Sequence, residues 1–167
     1  MATLTPEQLA TVKTDILASA DMNTLPANSD GSFAIAALYN KPASPTYFVW
    51  RSSVPMSEIM RNGFDWTFVD NLTIGKARIW EWMQLTGTIS PLEPNVRAGV
   101  IAVFTTAGMA SMRLGIFGHC QRAATRLEKL LAVSGSGTTT SDQGIGPATM
   151  GYEGTISYQA IAEARNS

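Results

Sequence analysis

Apolar residues recur three and four positions apart along much of the chain, and that spacing predicts helices. Leu9, Val12, Ile16 and Leu17 repeat in this way behind Thr5, Pro6 and Gln8. Those three residues make a capping box with proline at the first helical position, so a helix over 5–20 follows. Asp30 is placed to cap a second, short helix through Tyr39 that turns Phe33, Ala36, Ala37 and Leu38 inward. Pro42 and Pro45 forbid its continuation. Thr-Tyr-Phe-Val-Trp-Arg over 46–51 is β-prone and short, and predicts an extended segment or a single strand. Pro55 opens a further helix that Gly63 ends, and Asp65 caps a turn carrying Trp66, Phe68 and Val69. A helix over 73–85 presents Ile74, Ala77, Ile79, Trp80, Trp82 and Met83, and Gly87 closes it.

Val96, Gly99, Val100, Val103 and Phe104 then follow the i, i+3, i+4, i+7, i+8 pattern, entered through Pro91 and Pro94. Met109, Met112, Ile116, Phe117, Cys120, Ala124, Leu127 and Leu131 predict one long helical stripe to about residue 132, in which Gly108, Gly115 and Gly118 mark a break or a close helix contact. Over 134–146 Ser, Gly and Thr dominate, with Asp142 as the sole charge, which predicts a flexible arm. Met150, Tyr152, Ile156 and Tyr158 alternate around Gly154, predicting a bent strand or tight hairpin near 148–158 before a short terminal helix over 160–165. One or two strands make no stable sheet alone, so these pair either with 46–51 or with a neighbouring subunit by strand addition. The expected fold is mainly α: a helical bundle-like domain with a small β component. Its expected divisions are a body over 1–133, an arm over 134–147, and a C-terminal strand and tail over 148–167.

Composition narrows the function. A length of 167 residues fits one domain. One cysteine excludes a disulfide framework and a multi-cysteine zinc site. A net charge of −1 excludes a generally basic nucleic-acid binder, and 45% apolar residues exclude a wholly disordered chain. No apolar run approaches the ~20 residues that span a bilayer, and residues 1–5 carry no Lys or Arg of a signal peptide. Charged residues make up only 15%, against an ordinary ~25%. They are unevenly placed: residues 1–75 net −3, 76–132 net +4, and 133–167 net −2. Opposed blocks of this kind suit head-to-tail self-association. Arg122, Arg126 and Lys129 fall at i, i+4, i+7 and would share one helix face. That face either meets phosphates or an acidic partner, or is simply solvated with Glu128 pairing locally. Trp80 and Trp82 lie about 200° apart on a helix, so one of them meets another element or another subunit.

Catalytic chemistry is not indicated. His119 and Cys120 are adjacent, and helical neighbours point about 100° apart, so they do not form a nucleophile pair; Cys120 on the apolar stripe predicts a buried small hydrophobe. Gly75-Lys76 ends like a phosphate-binding loop, but Asp70 and Ala77 stand where a Gly and a Ser or Thr are required. Gly135, Gly137, Gly144 and Gly146 lack the strand-to-helix context of a dinucleotide fingerprint. No catalytic residue, cofactor site or metal site is assigned.

Six segments together carry a resemblance. They are Asn28-Ser29-Asp30-Gly31 running into Ala34 to Asn40; Val49-Trp50-Arg51; Leu72 to Trp82; Asn95 to Gly99; His119 to Lys129; and Tyr152 to Tyr158. The set resembles a family of small proteins encoded among the head and tail structural genes of tailed bacteriophages. The resemblance implies a virion protein made in the host cytoplasm and located at the head–tail junction. A connector or adaptor of this kind docks on the portal ring as a homo-oligomeric ring and continues the DNA channel toward neck and tail proteins. It implies proximity to channel DNA, no membrane and no enzymatic activity. The partner contacts expected are Arg122, Arg126, Lys129, Trp80 and Trp82. A tail terminator, a capsid-associated protein or, further off, a DNA-binding packaging protein are the alternatives.

Overall fold

The computed structural model describes residues 3–61 and 63–166. Along these residues run α1 (Pro6–Ala18), α2 (Ser29–Tyr39), β1 (Phe48–Trp50), β2 (Val54–Pro55), α3 (Met56–Ile59), α4 (Trp66–Asp70), α5 (Ile74–Leu85), β3 (Thr88–Ile89) and α6 (Pro94–Val103). A 3-10 turn (Ala107–Met109) leads into α7 (Ala110–His119), β4 (Gln121–Ala123), α8 (Arg126–Leu130), β5 (Ala132–Ser134), β6 (Thr149–Met150) and α9 (Tyr158–Asn166). The protein is mainly α with a small β component, as its periodicity predicts. Strands pair only in twos: β1 with β4, β2 antiparallel to β3 with Val54 opposite Ile89, and β5 with β6.

The chain forms two compact units, each discontinuous in sequence. Unit 1 comprises Met1–Tyr47, Ala123–Ser134 and Met150–Ser167; unit 2 comprises Phe48–Arg122 and Gly135–Thr149.

In unit 1, α9 packs on α1 and α2, and α8 on α2. Val12, Ile16, Ile35, Tyr39, Leu127 and Ile161 form the buried centre. The Thr5 capping box is present with Pro6 at the helix start. Helix α2 starts earlier than expected because Asn28, not Asp30, is its cap: the Asn28 side chain accepts from the Gly31 amide at 3.0 Å. Its buried face is made by Ile35, Ala36 and Tyr39, and Phe33 lies outside, stacked on Tyr158 with centroids 4.0 Å apart. Gly31 has no alternative there, since a Cβ would overlap the Pro26 carbonyl.

The alternation over 150–158 does not make a strand to residue 158. Only Thr149–Met150 is strand, and α9 begins at Tyr158. Side chains satisfy the backbone between them. Glu128 accepts from the Gly154 amide at 3.1 Å, and Asn40 both accepts from the Ile156 amide at 2.9 Å and donates to its carbonyl at 3.0 Å. Gly154 holds φ 122°, a left-handed value open to glycine. Tyr152 and Ile156 are buried by this irregular turn rather than by a sheet.

Unit 2 has its own core around Trp50, Trp80, Phe104, Met112, Ile116 and Phe117. The single long helix expected to residue 132 is absent: α7 ends at His119. Beyond it the chain turns extended, with the Arg51 amide donating to the Cys120 carbonyl at 2.9 Å, and Thr125 opens a new helix with its own capping box to Glu128. The segment expected as a flexible arm folds into unit 2. Phe48 donates to Gly137 at 2.8 Å, and Ala148 exchanges backbone hydrogen bonds with Phe48 and Trp50 at 2.9 and 3.0 Å. Val49 and Ala148 thereby form a parallel bridge beside β1, so this stretch pairs within the chain.

Candidate functional site

Two groups of side chains answer to the expected contacts. The first lies in unit 1, where α8 holds Arg126 and Lys129. Arg122 stands on β4, so the expected helix face of three cations does not form. Arg126 is engaged within its own unit. Its guanidinium donates to Asp21 at 2.6 Å and to the Ser19 hydroxyl at 3.0 Å, stands 3.8 Å from Asp15, and lies 5.7 Å from the Tyr39 ring centroid. Lys129 lies 5.7 Å from the Tyr47 ring. The Arg126 hydrogen bond holds the Asp21 carboxyl below the usual carboxylate range, and the same bond raises Arg126. Burial, and then the hydrogen bond to Asp15 at 2.8 Å, push the Tyr39 hydroxyl up. These groups border an open cleft of about 460 Å³ whose charged rim is Asp15, Asp21, Lys41, Arg126 and Lys129. Asp15 and Asp21 share the rim with the three cations, so the cleft is no concentrated anion site. Arg126 is a structural tie first.

The second group lies on α5 in unit 2. Trp80 is 1% exposed, stacked on Phe64 at 5.6 Å and edge-on to Phe104 at 5.1 Å. Its indole N–H is buried without a hydrogen-bond partner among the described residues. Trp82, two positions on, is 59% exposed. The 200° spacing therefore separates a core tryptophan from an outward one. Ile74 at 82% and Leu85 at 77% exposed stand at the two ends of the same helix, and Ile79 is partly exposed. Trp66 on α4, 53% exposed, packs edge-on against Phe64 at 4.8 Å. A helix whose only buried residue is Trp80 leaves most of its apolar surface uncovered. Exposed apolar residues grouped in this way mark contact surfaces.

Cys120 is buried, and burial pushes its thiol up to about 12. The His119 carbonyl accepts from Arg51 at 2.9 Å, and Arg51 also forks onto Glu58 at 2.5 and 3.1 Å. Among the described residues, no three His, Cys, Asp or Glu side chains gather as metal ligands, and no helix is long and apolar enough to cross a membrane.

Sequence reasoning passed over Arg113. It is 5% exposed on α7 and donates to the carbonyls of Phe104, Thr106 and Asp142, and to the Asp142 carboxylate at 2.5 Å. A signal was available: Arg113 occupies an apolar-stripe position between Met109 and Phe117, and Asp142 is the sole charge of its segment. Glu128, 2% exposed, is a buried tie and not the local partner that a solvated face would give it.

No family model matches the chain, and neither does any curated protein or solved structure.

Proposed function

We propose that the chain is a structural protein of a tailed-bacteriophage particle, a head–tail connector that docks on the portal ring and continues the DNA channel toward the tail. The resemblance of six segments to phage head and tail proteins supports the particle, and the surface supports the assembly role. The observation that carries the reading is that both units leave large apolar side chains uncovered: Ile74, Trp82, Leu85 and Trp66 in unit 2, and Leu17 and Phe33 in unit 1. A protein held between neighbours on several sides has a use for such surfaces. Charged residues at 15% of the chain fit the same reading, because an isolated domain keeps more charge to stay apart from its copies.

In this role the partners are the portal, the neck or tail proteins and further copies in a ring, in the virion. The contacts are heterologous and close by rotation. The role requires no catalysis, so alanine at His119 and Cys120 leaves infectivity unchanged.

Electron microscopy of particles carrying a tagged chain tests the assignment. Density at the neck is the expected result. Density at the tail tip side or over the shell instead assigns a terminator or capsid-associated role, and absence from purified particles overturns the reading. A gel shift at low salt that disappears steeply as salt rises would favour DNA packaging over a connector.

A further inference from the structure

Helix α5 carries large side chains on two opposite faces. Trp80 is turned into the core of unit 2, and Met83 lies beside Gly99 of α6. On the other side Ile74, Arg78, Glu81, Trp82 and Leu85 are all exposed. At 100° per residue these five fall within an arc of about 100°. Neither Arg78 nor Glu81 has an ion-pair or hydrogen-bond partner in the chain among the described residues.

The outer face has an internal symmetry. Reversing the helix about its midpoint, between Ile79 and Trp80, exchanges Ile74 with Leu85 and Arg78 with Glu81. A second α5 laid antiparallel therefore sets Ile74 against Leu85 at both ends and Arg78 opposite Glu81 twice at the centre, with the two Trp82 side chains on one flank. A parallel second copy sets Arg78 against Arg78 and Glu81 against Glu81, and is repelled. A self-complementary patch of this kind is what a two-fold contact requires.

We infer that the outer face of α5 is the seat of a second copy of this chain, paired antiparallel about a two-fold axis. The helix has 12 residues, which makes it about 18 Å long. One such helix from each copy buries less than the ~1,200–2,000 Å² of a standard stable interface, so the pair is weak and concentration-dependent. The inference concerns the free chain: the pair covers the same α5 side chains that particle contacts would use, so it is a state the chain leaves on assembly, and it stands whether or not the chain is found at a phage neck.

Sedimentation of the purified full-length chain over a concentration series tests it. A reversible monomer–dimer equilibrium is expected. Arg78→Glu and Glu81→Arg, each alone, place like charges opposite each other twice and weaken the dimer about tenfold, while the double exchange restores it to within about threefold. A second measurement fixes the direction of pairing. With a short bis-maleimide, the Ile74→Cys/Leu85→Cys double variant links into dimers, whereas neither single variant links to itself; buried Cys120 stays silent in all three. A chain that remains monomeric at every concentration overturns the inference. So does a dimer indifferent to the charge reversals, or one in which single-cysteine variants cross-link as well as the double.

Discussion

Arg113 places a guanidinium where the apolar stripe of α7 meets the core. Three carbonyls and the Asp142 carboxylate surround it, so its charge is matched and its donors are used. Replacing it with Met keeps the volume but leaves those carbonyls without a donor, each at roughly 1–3 kcal/mol when buried. Arg113→Met is expected to destabilise the protein by about 3 kcal/mol, read by urea unfolding, and hydrogen exchange places the lost protection in 135–149. Arg113→Lys recovers little of this, because an ammonium cannot reproduce the fork. Single residues of this sort were the least legible part of the sequence. Composition counts Arg113 as one cation among seven in a basic block, and what decides its role is the return of Asp142, 29 positions later. The tryptophans were more legible, because the 200° between Trp80 and Trp82 is local helix geometry. It required that the two diverge, and they do.

The most informative element is the five-residue α8. It is too short to stand on propensity, and its ends and its buried Glu128 hold it. Glu128 accepts from the Thr125 amide at 3.0 Å, closing the capping box, and its other oxygen accepts from the Gly154 amide. The carboxylate thus fastens α8 and the turn leading to α9 together. Glu128→Ala takes the carboxylate partner from the Thr125 and Gly154 N–H groups and is expected to cost about 2 kcal/mol. Thr125→Ala is expected to cost about 1 kcal/mol. Because both act on one cap, the double variant loses less than the two losses added, which a denaturation cycle of the four proteins measures. At this scale the sequence was legible wherever caps and prolines punctuate it, as at Thr5, Asp65 and Pro94. It misled where period alone was followed. The stripe from Met109 to Leu131 keeps helical spacing across a strand, because residues on either side of the break each face a core of their own. The box Thr125 to Glu128 was the written signal of that break. Over 150–158 the alternation was genuine but its cause was not a sheet, since Asn40 and Glu128 supply from afar the partners that a ladder would have supplied.

For the molecule as a whole, the fold class was legible, and the division into two units was not. The latter depends on long-range contacts that no local pattern records. Both units share one electrostatic device. Hydrogen bonds from Arg126, Arg51 and Arg113 hold the carboxyls of Asp21, Glu58 and Asp142, respectively, below their usual range. Each group binds a proton less readily folded than unfolded. Its contribution is therefore present above the unfolded pKa, near 4, and is lost as the pH falls through the lower folded value. Thermal melts are expected to be level from about pH 7 to 5 and to drop below about 4, with the drop reduced in Asp142→Asn. All three carboxyls are solvent-accessible, so high salt shrinks the effect.

The threading of unit 1 through the sequence also sets an order of events during synthesis. All of unit 2, Phe48–Arg122 and Gly135–Thr149, is made before the last segment of unit 1, which starts at Met150. Helices α1 and α2 emerge early with Val12, Ile16, Ile35 and Tyr39 awaiting the side of α9 that carries Ile161 and Ala164. Helices α1 and α2 are thus made well before the helix that covers them, and their apolar face stays open until α9 reaches it.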